Sequence, residues 1–181
     1  MNKKLLDTLE LKKRSFIYIR PSSIVNRDLF YCLIADATGE IFYSDQDITL
    51  ENIVRSLPLA PAVVITWDPD PKLANLIQQS RGSSLNIRDL MRFFPYSQAT
   101  IDQMDSPEDA YTQIMYEYAD LFMDKKGFIP YRKTLNSFRI GGPKNFIYSE
   151  MAHQIDIMIA LHNMLTSLLH KELSSRVRRG L

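Results

Sequence analysis

The densest grouping of chemically capable residues lies between positions 125 and 149. Over that stretch the chain carries no acidic residue, while Lys125, Lys126, Arg132, Lys133, Arg139 and Lys144 are interleaved with Phe128, Tyr131, Phe138, Phe146 and Tyr148. Cations attract phosphates and aromatic faces stack on unpaired bases, so these residue types in this pattern point to a nucleic acid, preferably single-stranded. Gly141, Gly142 and Pro143 make part of the segment a loop or extended stretch. The same composition also describes a solvated connector whose aromatics cover a core. Other chemistries find less support. His153, His162 and His170 fall on one long helical pattern at spacings that put successive rings on different faces, which disfavours a metal cluster. No serine, histidine and aspartate set, Cys-x-x-Cys pair or phosphate-binding glycine loop stands out.

The elements that must position such residues follow from composition and periodicity. A chain of 181 residues with 45% hydrophobic content can bury one substantial core, so one main domain with an appendage is expected. The net charge of +1 neither favours nor excludes a polyanionic partner, and charge placement has to decide. Cys32 is the single cysteine and sits in the apolar run LFYCLIA, which fits a buried side chain in a reducing compartment. The charged start MNKKLLDTLELKKRSF is unlike a signal peptide and no segment reads as a bilayer span, so no membrane partner is expected. The expected location is cytoplasmic, which includes a host cell for a viral protein.

A short charged helix is expected over residues 2–13, then a strand over 15–20. Residues 28–36 and 40–45 read as a hairpin turned by Ala37, Thr38 and Gly39. Thr49 is a plausible N-cap for a helix over 50–57 that Pro58 and Pro61 stop, and AVVITW (62–67) has the continuous apolar character of a buried parallel strand. Asp70 and Pro71 cap a helix that Gly82 ends; further helices are expected over 86–94 and from Ser106 to Lys126. A long helix from about Ser149 to about Arg178 is apolar on more than one face, so it packs across the body or meets another chain. Its basic end, Arg176, Arg178 and Arg179, suits a helix C-terminus. The expected division is an α/β domain over 1–124, a basic and aromatic connector over 125–148, and the long helix over 149–181.

Over roughly residues 15–123 the order of segments resembles the DEDD (DnaQ-like) 3′-to-5′ exonucleases, which implies an RNase H-like mixed sheet of three antiparallel strands plus a parallel strand with flanking helices. FIYIRPSS looks like the family's first strand with its Asp-x-Glu-Thr-Thr motif, and LFYCLIADATGEIFYSDQDIT like the hairpin that follows. VVITWDPDPKLANLI is similar to the strand and helix of the His-Asn-x-x-Phe-Asp motif; NIRDLMRFFP resembles the Asp-Thr-Leu helix, and DSPEDAYTQIMYEYADLF the closing His-x-x-x-x-Asp helix. The resemblance puts the family's metal-binding acids at Ile19, Pro21 and Lys72, its general-base histidine at Met104, and a matching acid at Asp109 alone. Two catalytic metals held by carboxylates would lack ligands with such a set. A shifted register offers Asp36 and Asp68 or Asp70 as substitute acids, although Asp36 at a hairpin end, Asp70 as an N-cap and Asp109 in a capping box also have structural readings.

The expectation is therefore a catalytically degenerate exonuclease-like protein that binds nucleic acid or docks within a nucleic-acid-processing assembly, with no cofactor. The alternatives are an active nuclease using Mg or Mn on a non-standard acid set, and a purely structural subunit. Lys125, Lys126, Tyr131, Arg132, Lys133, Arg139 and Lys144 are the expected nucleic-acid contacts, joined by Trp67 at the end of the buried strand. The long helix is the expected surface for a protein partner or a second copy.

Overall fold

The computed structural model describes residues 13–58, 62–82, 85–93, 96–118 and 145–178. Its elements in chain order are β1 (Lys13–Pro21), β2 (Phe30–Asp36), β3 (Ile41–Ile48), α1 (Leu50–Ser56), β4 (Ala62–Thr66), α2 (Pro71–Arg81), β5 (Leu85–Asp89), α3 (Leu90–Phe93), α4 (Gln98–Ile101), α5 (Pro107–Glu117) and α6 (Asn145–Arg178). The strands form one mixed sheet in the order β3-β2-β1-β4-β5. The first three are antiparallel neighbours, and β4 and β5 continue the sheet in parallel with β1. The chain thus has the expected α/β architecture.

Local chemistry explains much of this. Asp36 Oδ1 accepts hydrogen bonds from the Thr38 N–H, the Thr38 hydroxyl and the Glu40 N–H, which folds the β2–β3 turn around one carboxylate. Gly39 completes the turn at φ +88°, where a Cβ would stand 3.2 Å from Asp156 Oδ1 of α6, so both conformation and space favour glycine. Thr49 caps α1 by accepting from the Asn52 N–H, and Asp70 caps α2 by accepting from the Lys72 N–H, with Pro71 in the first turn. The N–H of Gly82 closes the end of α2 on the Gln78 carbonyl.

Alternating side chains give the sheet two cores. On one face Ile17, Cys32, Ile34, Val64 and Leu85 pack with Ile53 and Val54 of α1 and Leu73 and Ile77 of α2. On the other, Phe16, Leu33, Ala35 and Ile65 pack with α6 through Met151, Ile155, Met158 and Leu161, and α5 adds Ala110 and Ile114. Helix α6 crosses this second face, and Ile157, Met158 and Leu161 are all buried. Its apolar girth is thereby used within the chain along much of its length. No helix among the described residues is long and apolar enough to cross a membrane.

Three expectations need correction. The helix read over 86–94 is instead strand β5 followed by the single turn α3. Pairing of Leu85–Asp89 beside β4 overrides the helical spacing of Ile87, Leu90 and Met91. Helix α5, expected to continue to Lys126, ends at Glu117, where Tyr118 caps it at φ −123° and ψ 27°, and positions 119–126 lie outside the described residues. Helix α6 begins at Asn145, so positions 145–148 belong to the helix and not to an extended connector. The helix expected over 2–13 lies outside the described residues except for Lys13, which opens β1.

Candidate functional site

Strands β1 and β4 are adjacent and parallel, but the chain leaves β1 toward β2 and leaves β4 toward β5 on the other side. Sheets of this kind open a crevice beyond the carboxyl ends of two such strands, because the following connections diverge. A cleft of about 240 Å³ lies there. Ile17, Ile19 and Pro21 line it from β1, Thr66 from the end of β4, and Trp67, Asp68 and Asp70 from the connection to α2. Ile19 and Pro21 therefore share one lining, opposite Cys32 and Phe30 in the β1–β2 register. Neither supplies a metal ligand from its side chain.

On this edge the carboxylates of Asp89 and Asp70 are engaged locally. Asp68 adopts φ +38°, and its N–H donates to Asp89 Oδ1 at 2.9 Å. The same oxygen accepts from the Met91 N–H, so Asp89 joins the ends of β4 and β5 and starts α3. Burial raises the Asp89 pKa, a shift opposed by these two N–H donors and by Arg92 but assisted by the charge of Asp68. Asp70 Oδ1 is occupied by the Lys72 N–H at 2.9 Å. The Lys72 ammonium lies 3.8 Å from Asp28 in an exposed ion pair, within an adjoining groove of about 530 Å³.

The other expected positions are elsewhere. Met104 is buried in the core beneath α6. Asp109 Oδ2 accepts from the Asp105 and Ser106 N–H groups, each at 3.0 Å, while the Ser106 hydroxyl accepts from the Asp109 N–H at 3.3 Å. That is a complete capping box. Asp36 lies opposite Ser15 near the start of β1, at the other end of the strand from Pro21. Its partial burial opposes ionisation, but the hydrogen bonds from Thr38, Glu40 and Gly39 prevail and lower its pKa. Asp36 and the Asp68–Asp70 pair thus stand at opposite ends of the sheet. Among the described residues, no group of three or more His, Cys, Asp or Glu side chains could hold a metal ion. Trp67 is half-buried, packing against the α6-side core while lining the cleft. Lys125, Lys126, Tyr131, Arg132, Lys133, Arg139 and Lys144 lie outside the described residues.

Two polar features escape a reading of the sequence. The Thr66 hydroxyl is buried within an apolar strand and has no hydrogen-bond partner among the described residues. On the opposite face, Arg88 Nη1 lies 3.0 Å from His162 Nε2 across 74 positions of sequence. A guanidinium only donates, so Nε2 accepts and the neutral ring carries its proton on Nδ1. Phe93 stacks on the imidazole, Phe16 meets it edge-on, and Arg88 lies over Phe93. Burial, then the positive charges of Arg88 and Arg14, push the His162 pKa down to about 4, against a smaller opposing effect of the Asn163 side chain. Histidine spacing within one helix carries no sign of this pair, because its partner comes from β5.

Comparison of the chain with protein families, with curated proteins and with solved structures finds no match.

Proposed function

We propose that this chain is a catalytically degenerate, exonuclease-like protein of RNase H-like fold, serving as a nucleic-acid-binding or docking subunit of a nucleic-acid-processing assembly. The observation that carries the reading is the lining of the cleft at the carboxyl end of central strand β1 by Ile19 and Pro21. Cleavage of a phosphodiester by two metals requires oxygen donors around that point, and these side chains have none. The mixed sheet with β1 at its centre supports the fold. Involvement of Asp109 in a capping box and of Asp70 in an N-cap supports structural roles for the acids that remain.

Binding would then rest on the basic and aromatic stretch from Lys125 to Lys144. Two measurements test the proposal together. With Mg²⁺ or Mn²⁺ present, 5′-labelled single-stranded DNA and RNA should keep their full length, while fluorescence polarisation of the same strands should rise with protein. Neutralising Lys125, Lys126, Arg132 and Lys133 should weaken binding and flatten its dependence on salt. Metal-dependent shortening that disappears in Asp68→Ala or Asp109→Ala would overturn the degenerate reading. Equal binding before and after neutralisation would remove the nucleic-acid arm.

A further inference from the structure

The cleft between the carboxyl ends of β1 and β4 has three properties that together select a ligand. Its walls are apolar, built from Ile17, Ile19, Pro21, Phe30, Leu50 and Leu73. Among the described residues no basic one lines it, whereas Asp68 and Asp70 do, so its charge repels phosphate and attracts a cation. Beneath these lies Thr66, only 2% exposed, whose Oγ1 has no hydrogen-bond partner among the described residues. A buried hydroxyl without a partner is costly to the folded chain, and a ligand atom that pairs with it recovers that cost on binding. The volume of about 240 Å³ gives room for one ring with a short tail.

We infer that this cleft is a binding site for a small organic amine: an apolar ring against Ile19 and Leu73, a hydrogen-bonding atom on the ring at Thr66 Oγ1, and an ammonium facing Asp68 and Asp70. Such a ligand satisfies the wall, the floor and the mouth at once. A nucleotide satisfies the wall and, through its base, the floor, but not the mouth, where its phosphate meets two carboxylates. The ligand of this cleft does not depend on the nucleic-acid contacts proposed for the basic segment, and the site stands whether or not those exist.

Trp67 lines the cleft and is the only tryptophan in the chain, so its fluorescence reports occupancy directly. Titration with tyramine, excited at the red edge where the phenol does not absorb, should give a saturable change. Phenethylamine, which lacks the hydroxyl, should bind about fivefold more weakly, the effect of one net hydrogen bond. Phloretic acid, which carries the same phenol on a carboxylate tail, should produce no saturable change. Thr66→Val should reduce tyramine affinity to that of phenethylamine while leaving the unliganded protein at least as stable, since an unpaired buried hydroxyl is replaced by a methyl group. Asp68→Asn should weaken tyramine about threefold, in line with one partly exposed ion pair. No saturable response to tyramine, or equal binding of tyramine and phloretic acid, would overturn the assignment. Equal affinities of tyramine and phenethylamine for the wild-type protein would also overturn it, and that comparison needs no substitution.

Discussion

The two faces of the sheet are covered in different ways. Beneath α1 and α2 the layer is built from short consecutive pieces, a seven-residue and an eleven-residue helix, each capped by a side chain immediately before it. Its contacts are almost wholly aliphatic. Beneath α6 a single helix of 34 residues covers the sheet from far along the chain, and it buries Gln154, Asp156 and His162 among its apolar side chains. A locally assembled layer can lose one contact and keep the rest. The layer under α6 draws most of its helical packing from that one element, with α5 adding Ala110 and Ile114, and its buried polar groups require specific partners such as Arg88. Structural risk is therefore concentrated under α6, whereas the candidate ligand chemistry is concentrated at the edge of the α1–α2 face.

The largest expected effect tests that asymmetry with identical chemistry on both sides. Leu161 is fully buried beneath α6 and Leu73 is 1% exposed beneath α2, but Leu73 also borders the cleft. Truncation leaves a cavity whose cost depends on how far its surroundings collapse, and a cleft wall relaxes more readily than a sealed core. Urea unfolding should show Leu161→Ala losing about 4 kcal/mol and Leu73→Ala about 2 kcal/mol. Equal losses, or the reverse order, would break the comparison.

Acid should weaken the α6 face next. The His162 pKa lies near 4 in the folded chain, against 6.5 for the unperturbed group, so between these values the unfolded state binds the extra proton. The stability from keeping this ring neutral is fully present above the unfolded value. It is lost progressively as pH falls toward the folded value. Going from about pH 7 to about pH 5 should cost about 2 kcal/mol through this group alone. His162→Gln should flatten that part of the profile, whatever it does to stability at neutral pH. A wild-type profile that stays level over this interval would show that the ring is not held buried and neutral beside Arg88 in solution.

The same division separates what the sequence discloses from what it hides. Thr49, Asp70 with Pro71, Gly82, and Ser106 with Asp109 are signals contained within a few residues, and each becomes the cap its spacing implies. The hairpin around Asp36 and Gly39 is equally local. Strand β5 is different, because Leu-Asn-Ile-Arg-Asp becomes extended by pairing with β4, and nothing within those residues records that neighbour. For the candidate site, Ile19 and Pro21 are legible as apolar residues, but their common lining with Thr66 and Asp68 requires the parallel pairing of β1 and β4. The Thr66 hydroxyl reads in sequence only as a β-branched residue that favours a strand. Asp109 shows the limit most clearly, since one spacing serves both a cap and a metal ligand until its hydrogen bonds are seen.

Caps should behave alike on the two faces, which sharpens where the difference lies. Thr49→Ala removes the acceptor at α1, and Asp109→Ala removes half of the capping box at α5, on the α6 side. Each should cost about 1 kcal/mol in chemical denaturation, because a cap satisfies backbone groups of its own first turn and does not depend on what the helix packs against. A loss at Asp109 several times that at Thr49 would give the carboxylate a tertiary role beyond its cap.

The smallest effect is expected where β1 and α6 meet at the surface. Arg20 Nη1 lies 3.1 Å from Glu150 Oε2, and the two side chains are 47% and 49% exposed. The contact spans 130 positions of sequence and looks like a clasp between the sheet and the long helix. Its energetics argue otherwise, because both charges remain hydrated and two long side chains must be held still to form it. Glu150→Gln should lower stability by about 0.5 kcal/mol or less, and the difference should vanish as salt is raised. A salt-insensitive loss above about 1 kcal/mol would mean that the pair is desolvated, and the polar dependence of the α6 face would then reach its rim as well as its interior.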